Sequence, residues 1–308
     1  MLKKKKKKNK KIKISLVLWQ GVVLAVLAIL IVFIIVIGWG IYKLDWQNQF
    51  TNKVVQVIPY PAARVNTSVV LYKDYLKSLQ TAQKFFSRQQ ENGLPQMPSD
   101  KEIKQFALDR LIENIFVKKL AKQYNVNVVQ AEVQAKIEEI IMNKGSREEL
   151  SEFLAQYYDL SIAEYEEIFT APDLLYEKTN QVIVNDEALN GQKRKIMDMA
   201  LKELDEGATF ENVAAKYSVG STAKQGGLLG DFNHGDLPKD LENQLFAMEE
   251  GQYTDAIVLE NSLQIIKLEK KSYEQGVLTL KTIAVRIITV DDLIEQERQK
   301  TDVKVYVY

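Results

Sequence analysis

The sequence predicts an α+β chain that begins with a membrane-spanning helix, continues as a cluster of short helices and ends in alternating strands and helices. Three observations predict it. Leu16 to Ile37 holds 20 apolar residues in 22. Three serine–glutamate pairs spaced as capping boxes open helical periods between residues 99 and 175. After Leu175, strand-like and helix-like segments alternate around a glycine-dense stretch. The 308 residues exceed one ordinary domain.

The head and the span set a topology. Nine of the 41 basic residues lie in Met1 to Lys13, which contains no acid, so the remainder carries 32 basic against 41 acidic side chains. The run Leu16 to Ile37 would extend roughly 33 Å as a helix, enough to cross a bilayer's hydrocarbon core. Trp19 and Trp39 are spaced to sit near the two interfaces. The run is longer than a secretory signal's apolar region and lacks a small-x-small site after it, so an uncleaved anchor is expected. Lysines beside the first span place residues 1–13 in the cytoplasm and everything after Tyr42 outside, in a single pass through the cell membrane. The acidic outer part argues against nucleic acid as a partner.

Each outer element follows from local pattern. Lys43 to Pro61, with Pro59 and Pro61 and no sustained apolar period, reads as a connector. Arg64 to Leu71 is β-branched and reads as a strand before a helix carrying Tyr72, Tyr75, Leu76 and Leu79, which the Arg88 to Pro98 stretch with Gly93, Pro95 and Pro98 breaks. Ser99-x-x-Glu102, Ser146-x-x-Glu149 and Ser161-x-x-Glu164 mark helix starts. The first of these helices carries Ile103, Phe106, Leu108, Ile112, Phe116 and Leu120; another runs from about Val129 to Met142. Gln181 to Val184 reads as a strand, Glu187 to Leu204 and Phe210 to Tyr217 as helices, and Ser262 to Leu268 as a strand. Leu278 to Val290, Asp291 to Lys300 and Val303 to Tyr308 read as strand, helix and strand.

Composition removes several chemistries. With no cysteine there is no disulfide, thiol nucleophile or cysteine-ligated metal, and one histidine, His234, excludes a histidine-rich metal site. No metal or cofactor is expected. Five of the 14 glycines fall between Gly220 and Gly235, but Gly226-Gly227-Leu228-Leu229-Gly230 lacks the lysine and hydroxyl residue that end a phosphate loop. His234, in Phe232-Asn233-His234-Gly235-Asp236, reads as a solvated loop residue rather than a member of a hydrolytic triad.

The segments Leu204-Asp205-Glu206-Gly207-Ala208-Thr209-Phe210, Ala214-Ala215-Lys216-Tyr217-Ser218, Gly226-Gly227-Leu228-Leu229-Gly230-Asp231-Phe232, Leu245-Phe246-Ala247-Met248, Glu250-Gly251-Gln252 and Gln264-Ile265-Ile266-Lys267-Leu268 resemble a parvulin-type (PpiC-like rotamase) peptidyl-prolyl isomerase domain. The preceding Leu108-x-x-Leu111-Ile112-Glu113-x-x-Phe116 and the tail Glu295 to Val305 are similar to the helical module of membrane-anchored SurA/PrsA-like bacterial envelope foldases. The resemblance implies a four-stranded antiparallel sheet with surrounding helices, inserted into a helical chaperone module closed by N- and C-terminal strands. The expected organisation is a lysine-rich head at 1–13, a transmembrane helix at 14–42, a linker at 43–63, the helical module at 64–175, the parvulin-like domain at 176–272 and a strand-helix-strand at 273–308 that completes the module.

The resemblance also places a site. The positions where parvulins carry a polar catalytic cluster are Gln181, Gly220 and Gln264 here, so no catalytic residue is carried over. The apolar proline pocket maps to Leu229, Leu237 and Leu241. Isomerisation needs only differential stabilisation of a twisted amide, against a barrier of about 18–20 kcal/mol. The expected function is therefore a membrane-anchored extracytoplasmic chaperone binding unfolded or newly translocated polypeptide, with a catalytically weak or inactive parvulin-like domain. The alternatives are an active peptidyl-prolyl isomerase and a scaffold for one membrane-protein partner.

Overall fold

A computed structural model describes residues 2–44, 46, 48–93, 97–220, 222–272 and 276–307, with side chains from Trp19 onward. Pro95, Tyr308 and the side chains of the lysine head, all used in the sequence reading, lie outside the described residues. The chain divides into two compact units: Met1–Phe116 with Gln134–Thr170 and Arg298–Tyr308, and Val117–Val133 with Ala171–Glu297.

The first unit opens with α1 (Leu2–Leu44), of which Trp19–Leu44 is long and apolar enough to cross a membrane. Ile37 and Ile41 at its end are buried, and the Tyr60 hydroxyl donates to the Ile34 carbonyl at 2.8 Å. The expected linker contains a helix, α2 (Gln49–Val57), because Asn48 caps it through Thr51 N–H at 2.9 Å and Thr51 and Val55, one turn apart, are buried. The single strand expected at Arg64 to Leu71 is a hairpin, β1 (Pro61–Val65) and β2 (Ser68–Leu71), since Asn66 takes a left-handed conformation at φ 51° that turns the chain. The tail strand β7 (Val303–Val305) pairs antiparallel with the other edge of β1, so chain beginning and end close one three-stranded sheet in the order β2-β1-β7.

Helix α3 (Tyr72–Glu91) buries Tyr72, Tyr75, Leu76 and Leu79 and stops at Asn92 and Gly93. Helix α4 (Asp100–Gln123) starts at the Ser99–Glu102 pair and buries Ile103, Leu108, Ile112, Phe116 and Leu120. Helices α5 (Gln130–Lys144), α6 (Arg147–Tyr158) and α7 (Ile162–Tyr165) follow, and Ile137, Ile141, Leu150 and Leu154 form a small core. The Ser161–Glu164 box is complete: the serine accepts from the Glu164 N–H and the carboxylate accepts from the Ser161 N–H and hydroxyl. The Ser161 N–H first, and then Lys77 at 2.9 Å, lower the Glu164 pKa to about 2. A π-helical turn, Glu166–Thr170, leads to the next helix.

The second unit begins its main run with α8 (Ala171–Asn185), so Gln181 to Val184 is helix and not the expected strand. Its burial is helical, with Thr179 and Ile183 four residues apart inside and Gln181 and Val182 outside. Buried Asn190 at the start of α9 (Glu187–Asp205) fixes this end. Its amide donates to the Ile183, Val184 and Ile288 carbonyls, and its oxygen accepts the Ile288 N–H at 2.8 Å. Then come α10 (Phe210–Tyr217), β3 (Leu228–Asn233), α11 (Lys239–Ala247), β4 (Ile257–Leu259), β5 (Ser262–Ser272) and β6 (Val277–Arg286), followed by α12 (Val290–Gln299). The sheet is four-stranded and antiparallel, in the order β3-β6-β5-β4. The strand grouped by sequence with the chain's tail is thus an interior strand of this sheet, hydrogen-bonded on both edges, and only β7 joins the first unit's sheet.

The sheet's two faces carry different cores. Leu263 and Ile265 of β5 join Ile283 and Val285 of β6, Ile287, and Met197, Ala200, Phe210 and Val213 from α9 and α10. Alternation puts Ile266, Leu268, Leu278 and Leu280 on the other face, against Leu241 and Leu245 of α11.

Two outcomes test this arrangement. A fragment of residues 176–272 lacks β6 and with it Leu278, Leu280, Ile283, Val285 and Ile287. At roughly 1.5–3 kcal/mol each this removes about 8–15 kcal/mol of burial, comparable with a domain's whole stability. It should show no cooperative melt, whereas residues 171–299 should melt cooperatively by circular dichroism. The lowered Glu164 pKa stabilises the folded state above the ordinary carboxylate range, and that contribution disappears as pH falls toward about 2. Thermal melts between pH 5 and 2 should therefore lose stability more steeply for the native chain than for Glu164→Gln.

Candidate functional site

One face of the second unit's sheet, on β5 and β6, packs against α11. Gln264 shares the strand parity of Ile266 and Leu268, and Thr282 that of Leu278 and Leu280, so both point to the face that α11 covers. Across the ladder Gln264 stands opposite Ala284 and Ile266 opposite Thr282, which makes Thr282 the diagonal neighbour of Gln264. The Thr282 hydroxyl donates to Gln264 Oε1 at 3.1 Å, Gln264 Nε2 donates to Ser262 Oγ at 2.8 Å, and Ser262 Oγ donates to the Leu259 carbonyl at 3.1 Å. The apolar floor thus ends in a chain of neutral hydrogen bonds.

The expected pocket residues separate. Leu241 is 7% exposed in the cluster under α11, and half-buried Leu237 packs against it with Phe232, Phe246 and Leu259. Leu229 lies on β3, 39% exposed and outside that cluster. Gly220, with φ 136°, follows Val219, whose N–H donates to the Ala284 carbonyl at 2.8 Å. Ser218 Oγ accepts the Ala284 N–H at 3.0 Å. The Ser218–Gly220 segment is therefore docked on β6. Gln181 is not on the sheet: it is exposed on α8, and the strands flanking Gln264 are β4 and β6. The physical reason is occupancy, because β6 supplies ten paired positions to β5 where a four-residue segment supplies few.

The glycine loop reads the same strand. The Gly227 carbonyl accepts the Thr282 N–H at 2.8 Å, and the Gly227 N–H donates to the Thr222 carbonyl at 2.8 Å. A Cβ at Gly227 would lie 2.4 Å from the Thr282 carbonyl oxygen, and its φ is 81°. Only glycine allows that approach.

His234 is in a loop and 79% exposed at its side chain, as the sequence suggests, but its Nδ1 lies 2.6 Å from Oε1 of buried Glu242 on α11. The Gly235 N–H donates to the same oxygen at 2.9 Å and, with His234, holds Glu242 below the ordinary carboxylate range. This pair ties the loop to the helix that carries Leu241.

The first unit has its own recess, a cavity of 160 Å³ lined by Ala82, Phe85, Phe106, Tyr158, Ile168 and Phe169 among others. Phe85 stacks on Tyr158 at 5.4 Å and the Arg110 guanidinium lies 3.9 Å over the Phe169 ring. Burial raises the Tyr158 pKa. Phe106, an apolar position of the α4 pattern, is 53% exposed at this recess.

With this geometry, the profile of the SurA-like N-terminal domain matches residues 1–180. The chain belongs to that family. A PPIC-type PPIase domain, the rotamase profile, matches residues 177–270 of this SurA-like protein. The peptidyl-prolyl cis-trans isomerase Pin1 of Digitalis lanata is 36% identical over 64 residues, 21% of this chain and 54% of that protein. The chaperone SurA of Pseudomonas putida is 30% identical over 126 residues, 41% of this chain and 28% of that one. The foldase protein PrsA of Caldanaerobacter subterraneus is 25% identical over 183 residues, 54% of this chain and 57% of that one. The chain thus spans about half or less of the length of these relatives. A crystal structure of the peptidylprolyl isomerase PrsA from Bacillus anthracis, 18% identical, covers 62% of this chain and 86% of that chain with a TM-score of 0.22, which is too low to compare overall arrangements.

Sequence reasoning missed Thr282, Ser262 and Asn190. A signal for Thr282 existed: Lys281-Thr282-Ile283-Ala284-Val285-Arg286-Ile287 is β-branched and longer than the four-residue run Gln181-Val182-Ile183-Val184. Gly227→Ala should cost roughly 1–3 kcal/mol from backbone strain alone. A thermal melt of this variant that matches the native chain would show that the glycine loop does not rest on β6.

Proposed function

We propose that this SurA/PrsA-like chaperone/foldase is anchored in the cell membrane by its first helix, faces outward, and holds unfolded polypeptide without efficient prolyl isomerisation. The observation that carries the reading is the neutral chain Thr282–Gln264–Ser262 at the end of the apolar floor formed by Leu237, Leu241 and Ile266. In this reading Gly220 and Gln264 are degenerate catalytic positions and Leu237 and Leu241 are substrate-binding, while Gln181 on α8 and Leu229 on β3 stand apart from them. The sole histidine of the chain, His234, is committed to Glu242.

Amide and hydroxyl groups have no proton to exchange near neutral pH, and glycine at position 220 offers no side chain. An apolar floor binds the ground-state and twisted prolyl bond about equally, which yields affinity and no rate. The aromatic recess in the first unit adds a second apolar surface for client side chains, and the domain boundaries expected from sequence shift so that the parvulin-like domain extends through β6. The PrsA and SurA relatives are named foldase and chaperone, which agrees with polypeptide as the ligand.

The full chain in lipid nanodiscs, assayed in parallel on an aggregating client and on a proline tetrapeptide, tests the reading. Aggregation of unrelated unfolded proteins should fall at equimolar chain. The uncatalysed isomerisation time, on the order of tens to hundreds of seconds, should change by less than about twofold. Rapid turnover of the peptide would instead establish an active isomerase, and suppression confined to one client would establish a dedicated scaffold.

A further inference from the structure

Helix α2 carries two apolar faces. Thr51 and Val55 turn into the first unit and are buried. Phe50, Val54 and Val57, spaced i, i+4 and i+7, form a second stripe beside them, along which Phe50 is 57% and Val57 83% exposed. Gln49, Lys53 and Gln56, all exposed, make the polar side. Contacts with α1 set where this stripe lies. The Phe50 ring meets the Phe33 ring edge-on at a centroid distance of 6.3 Å. Beyond the other end of α2, the Tyr60 hydroxyl donates to the Ile34 carbonyl at 2.8 Å, and its ring packs at Gly38, where a Cβ would come within 3.2 Å. The helix is thus tied at both ends to residues 33–38 of α1, a stretch roughly 8 Å long by helical rise. Its own nine residues are roughly 13 Å long, so it lies across α1 rather than along it.

That stretch is where the span leaves the bilayer. Residues 19–36 are all exposed, and burial starts at Ile37. Residues 16–36 of α1 are roughly 31 Å long, the thickness of a hydrocarbon core, so in the proposed anchor the outer lipid boundary falls where the folded unit takes over the helix. By helical rise Phe33 lies about 5 Å inside that boundary, and the Phe50 ring beside it shares its level. We infer that α2 is a membrane-docking helix whose Phe50, Val54 and Val57 enter the outer leaflet next to the span, with Lys53 beside the stripe reaching the headgroups. Lipid is the occupant that the contacts select, because the stripe continues, through Phe50 and Phe33, into a surface that already faces acyl chains. The rest of the unit holds it there. The Tyr42 hydroxyl of α1 donates to the Pro61 carbonyl of β1 at 2.8 Å, and the Tyr42 ring packs on Tyr60 and on Tyr306, the residue after β7. The three-stranded sheet is thus fixed to the end of the span, which keeps α2 at the membrane surface.

The inference rests on the proposed anchor, and one experiment separates the two. The chain has no cysteine, so one introduced cysteine takes one nitroxide label. Labels at Val57→Cys, Phe50→Cys, Gln56→Cys and, in mid-span, Val26→Cys are read in the full chain in nanodiscs of phosphatidylcholine and phosphatidylglycerol. The readout is collision with oxygen, which concentrates among acyl chains, and with a water-soluble nickel chelate. Val57 and Gln56 are exposed, so their labels displace no packed side chain, and circular dichroism melts report whether Phe50→Cys is folded. The labels on Val57→Cys and Phe50→Cys should lie about 5–10 Å below the phosphates. The label on Gln56→Cys should stay open to nickel, and the one on Val26→Cys should meet oxygen alone. If Val57→Cys is as open to nickel as Gln56→Cys while Val26→Cys is in lipid, the docking face is wrong and the anchor stands. If Val57→Cys is shielded from both oxygen and nickel, a second copy or another protein covers the face and lipid is not its occupant. If Val26→Cys is open to nickel, the chain does not span and the docking face falls with the anchor.

Discussion

The second unit depends on one pairing, the antiparallel ladder between β5 and β6. An interior strand must satisfy hydrogen-bonding groups on both edges, and β6 does so against β5 on one side and against β3, Gly227 and Val219 on the other. Its side chains simultaneously enter both cores, Ile283 and Val285 on one face and Leu278 and Leu280 on the other. The conformation of the glycine loop follows from this pairing, since Gly227 must approach the Thr282 backbone more closely than a Cβ permits.

That pairing also decides which groups surround Gln264. Because β6 lies beside Gln264, the residue that meets the glutamine is a threonine, and the local polar groups are all neutral hydrogen-bonding groups. Such groups stabilise a bound amide without the charge rearrangement that would favour its twisted form. Glu242 on α11 is held by the Gly235 N–H and His234 and ties their loop to the helix. In the first unit, by contrast, the organising groups are helix caps and aromatic contacts. Glu164 closes the Ser161 cap and pairs with Lys77, and Phe85, Tyr158 and Phe169 line one recess.

Much of this was legible residue by residue. The Ser99, Ser146 and Ser161 caps each start a helix, and Phe210–Tyr217 is a helix with the bounds its pattern suggests. These signals are local, acting over three or four residues, and carry their own geometry. Leu237 and Leu241, four residues apart in sequence, lie in one apolar cluster. The place of Gln181 was not legible. Gln181-Val182-Ile183-Val184 has strand composition, and only the helical burial of Thr179 and Ile183 and the carbonyl bonds to Asn190 hold it in α8. The amphipathic turn at Thr51 and Val55 was hidden for a related reason, because two buried positions are too few to make a period.

The sequence by itself determined the order and type of most helices, the apolar first helix, the absence of thiol chemistry and the family to which the chain belongs. These rest on composition, on spacing within a turn or two and on motifs read in order. Only the tertiary structure decided which β-branched segment takes the place beside Gln264. Two β-branched segments are candidates for one slot, and the choice depends on pairing length, on both cores and on the Asn190 bonds to Ile288. The Asn190 bonds join residues 98 positions apart, and no local pattern records them.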